Sequence, residues 1–436
     1  MARRREKKIN EQEKTYEGCY GQRVKYDRLL SFITTNFELN DINEQSGQPR
    51  FAQCIWGHPG IGKTALVKQL KNTPVEWRGK KYDGWDIRDV PIAQFEEMGD
   101  LHGIPMDCIL MYKIEGKGPD SERKEQWVPQ REQTVVAFRE DGWQIDSNVT
   151  PRTIMAPPDW VPLKPGPAIL LLDDFNRASI RIIKGIMQLL QNYGMVSWKL
   201  PPGCNIVLTG NPDEQDYLVT TIDAAIITRI KHITLQEDAK QWAEWATSQN
   251  LDARGISFCL FDPEMMIGKE RTNPRTLSEF FRYMKTVPSV EDLDGGGIRK
   301  DVSVHAHSLL DEETVAAFFV FCTRDMEDVI EPEDVLDGKK NVADRVKKLM
   351  KRKEPRTDIL GITCERLFAT MVQSETEQTP ARIKNFQKFV TNEVVPPDIR
   401  HSLCKRLSKR TENDGRNQKW LIGDEKLREQ ILEMLR

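Results

Sequence analysis

The sequence predicts an α/β fold, a parallel sheet with helices on both faces, followed by an α-helical region. Three stretches carry that expectation. Gly57 to Thr64 reads GHPGIGKT, a complete GxxxxGK[ST] pattern, and it lies between an apolar run, Phe51 to Trp56, and a helical pattern, Lys63 to Leu70. Strand, loop and helix in that order are the context in which this pattern cradles phosphate. Ala168 to Leu172 is five consecutive apolar residues ending in Asp173 and Asp174. An uninterrupted apolar run suits a parallel strand covered on both faces. Cys204 to Pro212, CNIVLTGNP, is a third strand and ends on the polar Asn211. Ligands of open α/β sheets bind beyond the carboxyl ends of the strands, so these three strand ends share one expected site.

Each residue type in the loop has a physical reason. Gly57, Gly60 and Gly62 allow the backbone to curl and turn its N–H groups toward phosphate oxygens. Pro59, Ile61 and Ala65 complete the expected nucleotide-binding set, Lys63 reaches β- and γ-phosphates, and the Thr64 hydroxyl ligates Mg2+. A second strand must then bring a carboxylate to the metal. Asp173 fills that role, and Asp174 is placed to orient or activate an attacking water. Asn211 offers hydrogen bonds to that water or to a γ-phosphate oxygen. ATP and Mg2+ are the expected cofactors.

The remaining elements follow in order. Trp85 to Gln94 and Arg229 to Leu235 supply further strands. Ile183, Met187 and Leu190 make a core-facing stripe on a helix expected at Ser179 to Tyr193. Met195 to Gly203 reads as a short strand-like piece. Lys63 and Asp173 are 110 residues apart, whereas a strand, two helices and short loops need roughly half that. The surplus predicts a structured insertion near 111–162 with an exposed charged loop, EGKGPDSERKEQ. After Leu235 the pattern turns helical. DAKQWAEWATSQ and PRTLSEFFRYMKTV form a lid, EETVAAFFVFCTRDMEDV is a buried helix, and DGGG at Asp294 to Gly297 is a loop. From about Asn341 basic runs such as RVKKLMKRKEPR and HSLCKRLSKR dominate.

Composition narrows the classes. The chain has 436 residues, enough for two or three domains. With 39% hydrophobic and 30% charged residues it reads as soluble and globular. A net charge of −3 excludes a polycation built to bind polyanions along its whole surface. Eight cysteines, at 19, 54, 108, 204, 259, 322, 364 and 404, include no CxxC pair. That favours a reducing, cytoplasmic compartment over a zinc or redox role. No apolar run approaches the ~20 residues needed to span a bilayer. The basic start, MARRREKK, lacks the apolar stretch of a secretory signal and reads as a solvated tail. His305 and His307 have no acid or cysteine cluster beside them, which argues against a metal site.

The loop GHPGIGKT, then LLLDDFNRA, TGNP, DAAIITRI and NPRTL, occur in the order seen in AAA+ ATPases of the P-loop NTPase class. The set resembles the MoxR-like branch, whose acidic motif continues into Asn-Arg-Ala. DLHGIPM, WVPLKPGPAILLLDD and YGMVSWKLPPGCNIVLTGNP also look like that branch. The resemblance spans about residues 20 to 285. It implies that Asp173 is the magnesium-associated acid, Asn211 sensor 1, Arg229 an arginine finger reaching a neighbouring subunit, and Arg275 sensor 2 on the lid. MoxR-like proteins also resemble this chain in carrying an insertion in the second helix. One position departs: the family usually has glutamate where this chain has Asp174, one methylene shorter.

The expected organisation is therefore a basic tail and leading helix (1–45), an α/β nucleotide-binding core (46–236) with its insertion, a helical lid (237–340) and a basic helical region (341–436). The expected function is Mg2+-dependent ATP hydrolysis by an oligomer, a ring with a hexamer favoured. Such an oligomer would remodel or activate a protein client, or act with a von Willebrand-type partner, away from any membrane. The rivals are a nucleic-acid motor related to the replicative helicase branch, prompted by the basic C-terminal runs, and a slow nucleotide-switched binding module, prompted by Asp174. No recognisable nucleic-acid module supports the first rival.

Overall fold

Strand β1, Gln22–Val24, and helix α1, Tyr26–Gln45, precede the apolar strand β2, Ala52–Trp56. The computed structural model describes residues 20–116, 122–212, 222–266, 270–291, 297–408, 414–422 and 425–435. Most of the expected N-terminal tail and most of DGGG lie outside the described residues, as do 117–121 of the charged loop. The chain divides into two compact units, Met1–His58 with Gly62–Gln236, and Pro59–Ile61 with Glu237–Arg436.

In the first unit, helix α2, Lys63–Gln69, follows the loop after β2. Then come β3, Asp86–Val90; β4, Ala168–Leu172; helix α3, Ile180–Asn192; β5, Cys204–Gly210; and β6, Ile230–Leu235. The six strands form one sheet in the order β1–β6–β2–β5–β4–β3, every pair parallel. This is the α/β class that the sequence predicts. Every residue of β2, β4 and β5 is buried, as expected for strands covered on both faces. Strand β1 is an addition. Its pairing of Gln22–Val24 with Ile233–Leu235 extends the sheet past β6, and three residues are too few to show a strand period in sequence.

Polar anchors sit inside this core. Asn40 of α1 is 2% exposed. Its amide accepts from the Phe51 N–H at 2.9 Å and donates to the Phe51 carbonyl at 3.0 Å and to Asn205 at 2.9 Å. It thereby satisfies backbone groups where the chain enters β2, which would otherwise be costly to bury. Helix α3 starts at Ser179, whose hydroxyl accepts from the Ile182 N–H, and ends at Tyr193 in the left-handed conformation, φ 50°. It buries Ile182, Ile183, Ile186, Leu189 and Leu190; Met187 is only partly buried. The piece at 195–203 has no regular strand but folds back as a tight hairpin-like turn, with the Leu200 N–H donating to the Tyr193 carbonyl at 2.7 Å. It is fastened by a single bridge, Gly194 to Lys199, and by the Met195 N–H donating to the Trp198 carbonyl at 2.8 Å.

The surplus between Lys63 and Asp173 folds as an antiparallel sheet. Ile104–Glu115 is its long central strand and pairs with Glu122–Pro129, Gln144–Ile145 and Arg152–Ala156. Helix Glu132–Glu140 sits beside it, with Ile109, Met111 and Val128 as a small core under Val135, Phe138 and Trp143. The sheet begins at Ile104, ahead of Met111, because Ile104–Cys108 pairs with Arg152–Ala156 at its base. Gly103 makes that start feasible: its φ is 90°, and a Cβ there would come within 1.8 Å of the Ala156 carbonyl oxygen.

The second unit is helical among its described residues. One core gathers Phe258, Phe280, Phe281 and Phe318 around helices Ala253–Phe261, Pro274–Met284 and Glu312–Arg324. Another gathers Leu367, Phe386, Leu403 and Trp420. Helix Thr357–Met371 serves both, with Ile359 and Ile362 in the first core and Leu360, Cys364 and Leu367 in the second. A helix apolar on most of its circumference belongs in the interior. Several arginines here are met by acids. Arg345 pairs with Asp334, Arg352 with Asp328, Arg356 with Asp325 and Asp358, Arg366 with Glu331, and Arg382 with Asp337. Arg406 bonds both Glu244 and Glu365 and lies 3.7 Å over the Phe368 ring. No described helix is long and apolar enough to cross a membrane.

Candidate nucleotide site

The ends of β2, β4 and β5 lie side by side because the strands are adjacent and in parallel register. Leu172 pairs with Leu208, and Gly210 with Trp56. The residues that follow each strand therefore emerge at one edge. After β2 the Gly57 N–H donates to the Gly210 carbonyl at 3.3 Å, which fixes the start of the loop. The loop ends at Gly62, φ 99° and ψ 15°, immediately before α2. A left-handed backbone here favours glycine. Pro59, Gly60 and Ile61 group with the second unit. Ala65 is exposed on the first turn of α2.

Lys63 is only 6% exposed. Its Nζ donates to the carbonyls of Gly57 at 2.6 Å and His58 at 3.0 Å, and to Oδ1 of Asn211 at 2.9 Å. A buried ammonium is tolerable only with such partners. Asn211 is fully buried, and its Nδ2 donates to Oδ1 of Asp174 at 2.9 Å. The Thr64 hydroxyl donates to Oδ1 of Asp173 at 2.6 Å. Lys63, Thr64, Asp173, Asp174 and Asn211 thus form one connected group, although they come from three separate stretches of sequence.

Two residues in this group were not singled out from the sequence. Thr209, on β5, donates its hydroxyl to Oδ1 of Asp173 at 2.6 Å and accepts from the Asp174 N–H at 2.9 Å. Asn176, 2% exposed, accepts from the Asn211 N–H at 3.1 Å and donates to the Asn211 carbonyl at 2.8 Å. That is both halves of a strand-like pairing, supplied by one side chain just past the end of β5. A signal was present in each case. Thr209 lies two residues before Asn211, on the same face of the strand by its period of two. Asn176 is an amide two residues past the acids that end an apolar strand.

Asp174 adopts the left-handed conformation, φ 49° and ψ 44°. Aspartate reaches it more readily than most residues because its short side chain can bond locally. Arg177 Nε lies 3.7 Å from Oδ2 of Asp174.

The two expected arginines come from later elements of the chain. Arg229 follows the short helix Ala224–Ile227. Its Nε donates to Gln191 at 3.3 Å, and its guanidinium also donates to the Ala225 carbonyl. Arg275 is exposed on the first turn of helix Pro274–Met284 in the second unit. Its N–H is capped by Asn273 at 3.0 Å.

Behind the loop, Trp56 Nε1 donates to Nδ1 of His232 at 2.9 Å, and His232 Nε2 lies 2.8 Å from the Ile227 carbonyl. Nδ1 accepts, so Nε2 carries the proton and donates. Burial pushes the imidazole pKa below its usual value, opposed by the bond to Ile227.

The donor set fits a nucleotide with a hard cation. A hydroxyl and a carboxylate are oxygen ligands of the kind Mg2+ takes alongside phosphate and water. A Cβ on Gly62 would meet nothing within 4 Å, so there is open space beside the loop. Among the described residues no group of three or more His, Cys, Asp and Glu is placed to hold a metal. The arrangement therefore suits a cation shared with phosphate, not an all-protein cage.

No family model matches the sequence. No curated protein matches it. Among solved structures, the chain is similar to the RuvB Holliday junction branch migration motor of Thermotoga maritima. Identity is 11%, 73% of this chain and 80% of that chain are covered, and the TM-score is 0.30. Two mutant forms of the same protein give 10% identity over 73% and 81%, and 12% over 80% and 90%, each at a TM-score of 0.30. Likeness at that level adds nothing about chemistry, and the fold rests on the sheet order and the helical region that follows it.

Proposed function

We propose that the chain is a Mg2+-dependent ATPase of AAA+ type, MoxR-like in its motifs, working as a homo-oligomeric ring in the cytoplasm to remodel or activate a protein partner. The observation that carries the ATPase reading is the hydrogen-bonded group of Lys63, Thr64, Asp173, Asp174 and Asn211 at adjacent strand ends. The order of motifs along the chain supports the AAA+ and MoxR-like parts.

Gly57, Pro59, Gly60, Ile61, Gly62, Lys63, Thr64 and Ala65 form the nucleotide-binding set. Lys63 brings positive charge to the β- and γ-phosphates. Thr64 and Asp173 are the residues that would hold Mg2+, which would supply charge neutralisation at the phosphate oxygens. Asp174 accepts a proton from water as its oxygen bonds the γ-phosphorus and the bond to the β–γ bridging oxygen breaks. Asn211 orients that water. Arg229 acts on the site of a neighbouring subunit, and Arg275 acts as sensor 2.

A second reading, a slow nucleotide switch, is favoured by one observation. The short carboxylate of Asp174 is engaged by both Asn211 and Arg177. The ion pairs that meet the C-terminal arginines give the nucleic-acid motor no comparable support.

Calorimetric titration with ATP tests the main reading. The parent protein binds, and Lys63→Ala, checked for folding by circular dichroism, loses measurable affinity. Equal affinity in a folded Lys63→Ala protein removes the phosphate-loop assignment.

A further inference from the structure

We infer that Thr209 is a positioning residue for the reaction, one hydroxyl that sets the places of both acids; this rests on the ATPase reading. Strand β5 is buried throughout, and Thr209 is 0% exposed. Its neighbours in the strand, Val207 and Leu208, are apolar core residues. A hydroxyl in such a place is unfavourable unless both its donor and acceptor capacities are used. Both are used, and both point at the acids. The O–H donates to Oδ1 of Asp173 at 2.6 Å, and the oxygen accepts from the Asp174 N–H at 2.9 Å.

The two bonds do different things. The first orients the Asp173 carboxylate from the β5 side, while Thr64 donates to the same oxygen from α2 at 2.6 Å. Two donors on one oxygen fix the rotamer of the acid assigned to Mg2+. The second holds the peptide between Asp173 and Asp174. That peptide enters the left-handed turn at Asp174, a conformation that persists where its surroundings enforce it. The turn aims the Asp174 carboxylate at Nδ2 of Asn211. Valine has the same branched shape and would pack in the strand. It would leave the Asp174 N–H without its acceptor and Asp173 with one donor fewer.

The test compares Thr209→Val, Thr209→Ser and Thr209→Ala with the parent. Steady-state ATPase rates are measured across ATP and Mg2+ concentrations, and ATP affinity without Mg2+ is measured by calorimetry. A misplacement of about 1 Å costs on the order of 10²-fold in rate. Thr209→Val and Thr209→Ala therefore lower kcat by roughly that factor and raise the Mg2+ concentration needed for half-maximal rate. KM for ATP and metal-free affinity change little, because Lys63 and the loop are untouched. Thr209→Ser keeps the hydroxyl and most of the rate. If Thr209→Val does not fold, the serine and alanine pair still isolates the hydroxyl. Equal kcat and equal Mg2+ dependence in those two proteins overturn the inference while leaving the ATPase reading intact. A parent protein that binds no ATP overturns both.

Discussion

Asn211 donates from Nδ2 to Oδ1 of Asp174 at 2.9 Å, and its own Oδ1 accepts from Nζ of Lys63 at the same distance. One carboxamide thus joins the expected phosphate-binding cation to the expected catalytic acid. An amide can do this because it carries a donor and an acceptor at once, whereas an aspartate offers only acceptors and a leucine neither. The bond also reaches an acid that is one methylene shorter than the family's glutamate. With Asn211 wholly buried, the geometry between it and Asp174 depends on the length of the acid.

That dependence sets the first expectation. Asp174→Asn removes the proton acceptor but keeps the volume. It binds ATP as the parent does and loses about 10²–10⁴-fold in turnover, the range that general base catalysis supplies. Asp174→Glu raises turnover if reach limits the parent. Steady-state phosphate release with saturating ATP and Mg2+ measures both. Parental turnover in Asp174→Asn sinks the catalytic role. A parent that turns over very slowly and is accelerated by Asp174→Glu identifies the chain as a restrained switch.

Much of this arrangement was legible in the sequence, and the reason is physical. The strand β4 announces itself because a parallel strand buried on both faces tends to read as a continuous apolar run, and the acids end it. The loop is legible because its glycines and Lys63 are required by phosphate geometry. Thr209 and Asn176 left only a positional hint, because their partners are backbone groups and carboxylates on other stretches, and nothing in a single strand's pattern states who lies beside it. The edge strand Gln22–Val24 is too short to show alternation. The acids that meet the basic C-terminal runs were not legible either. Asp325 and Asp358 meet Arg356, and Glu244 and Glu365 meet Arg406, brought together only by helix packing. Arg229 and Arg275 took their proposed roles from motif order alone.

A pH dependence follows from His232. Its imidazole is half-buried and neutral, with Nδ1 accepting from Trp56. Burial lowers its pKa from the ordinary 6.5. A histidine with a depressed folded-state pKa contributes stability that is complete above the unfolded value. That stability is lost as pH falls from about 6.5 through the folded value, because the unfolded chain takes up the proton first. The loss is at most about 1.4 kcal/mol per pH unit for one proton. His232→Asn retains an acceptor and cannot titrate. Thermal melts at pH 7.5 and 5.5 will show a smaller acid-induced drop in this variant than in the parent. The same drop in both would show that His232 does not couple to folding in this range.

The last expectation concerns assembly, which the single chain leaves to Arg229. Its guanidinium donates to Gln191 and to the Ala225 carbonyl. An arginine contributes to phosphoryl transfer by stabilising charge on the transferring group, worth 10³–10⁵-fold in NTPases that use one. If Arg229 serves a neighbour's site, Arg229→Ala binds ATP normally and hydrolyses it poorly, and so does Asp174→Asn. The two defects lie in different halves of a composite site. In a mixed ring some sites therefore pair an intact Asp174 with an intact Arg229 from the next subunit, and the mixture hydrolyses ATP faster than either variant alone. A monomeric enzyme has no such route, because each chain carries its own defect. Sedimentation with and without a non-hydrolysable ATP analogue reports the assembly, and phosphate release from mixtures at several ratios reports the sharing. A chain that stays monomeric with the analogue, and mixtures that give only the average of their components, would eliminate the ring and confine Arg229 to its bonds with Gln191 and Ala225.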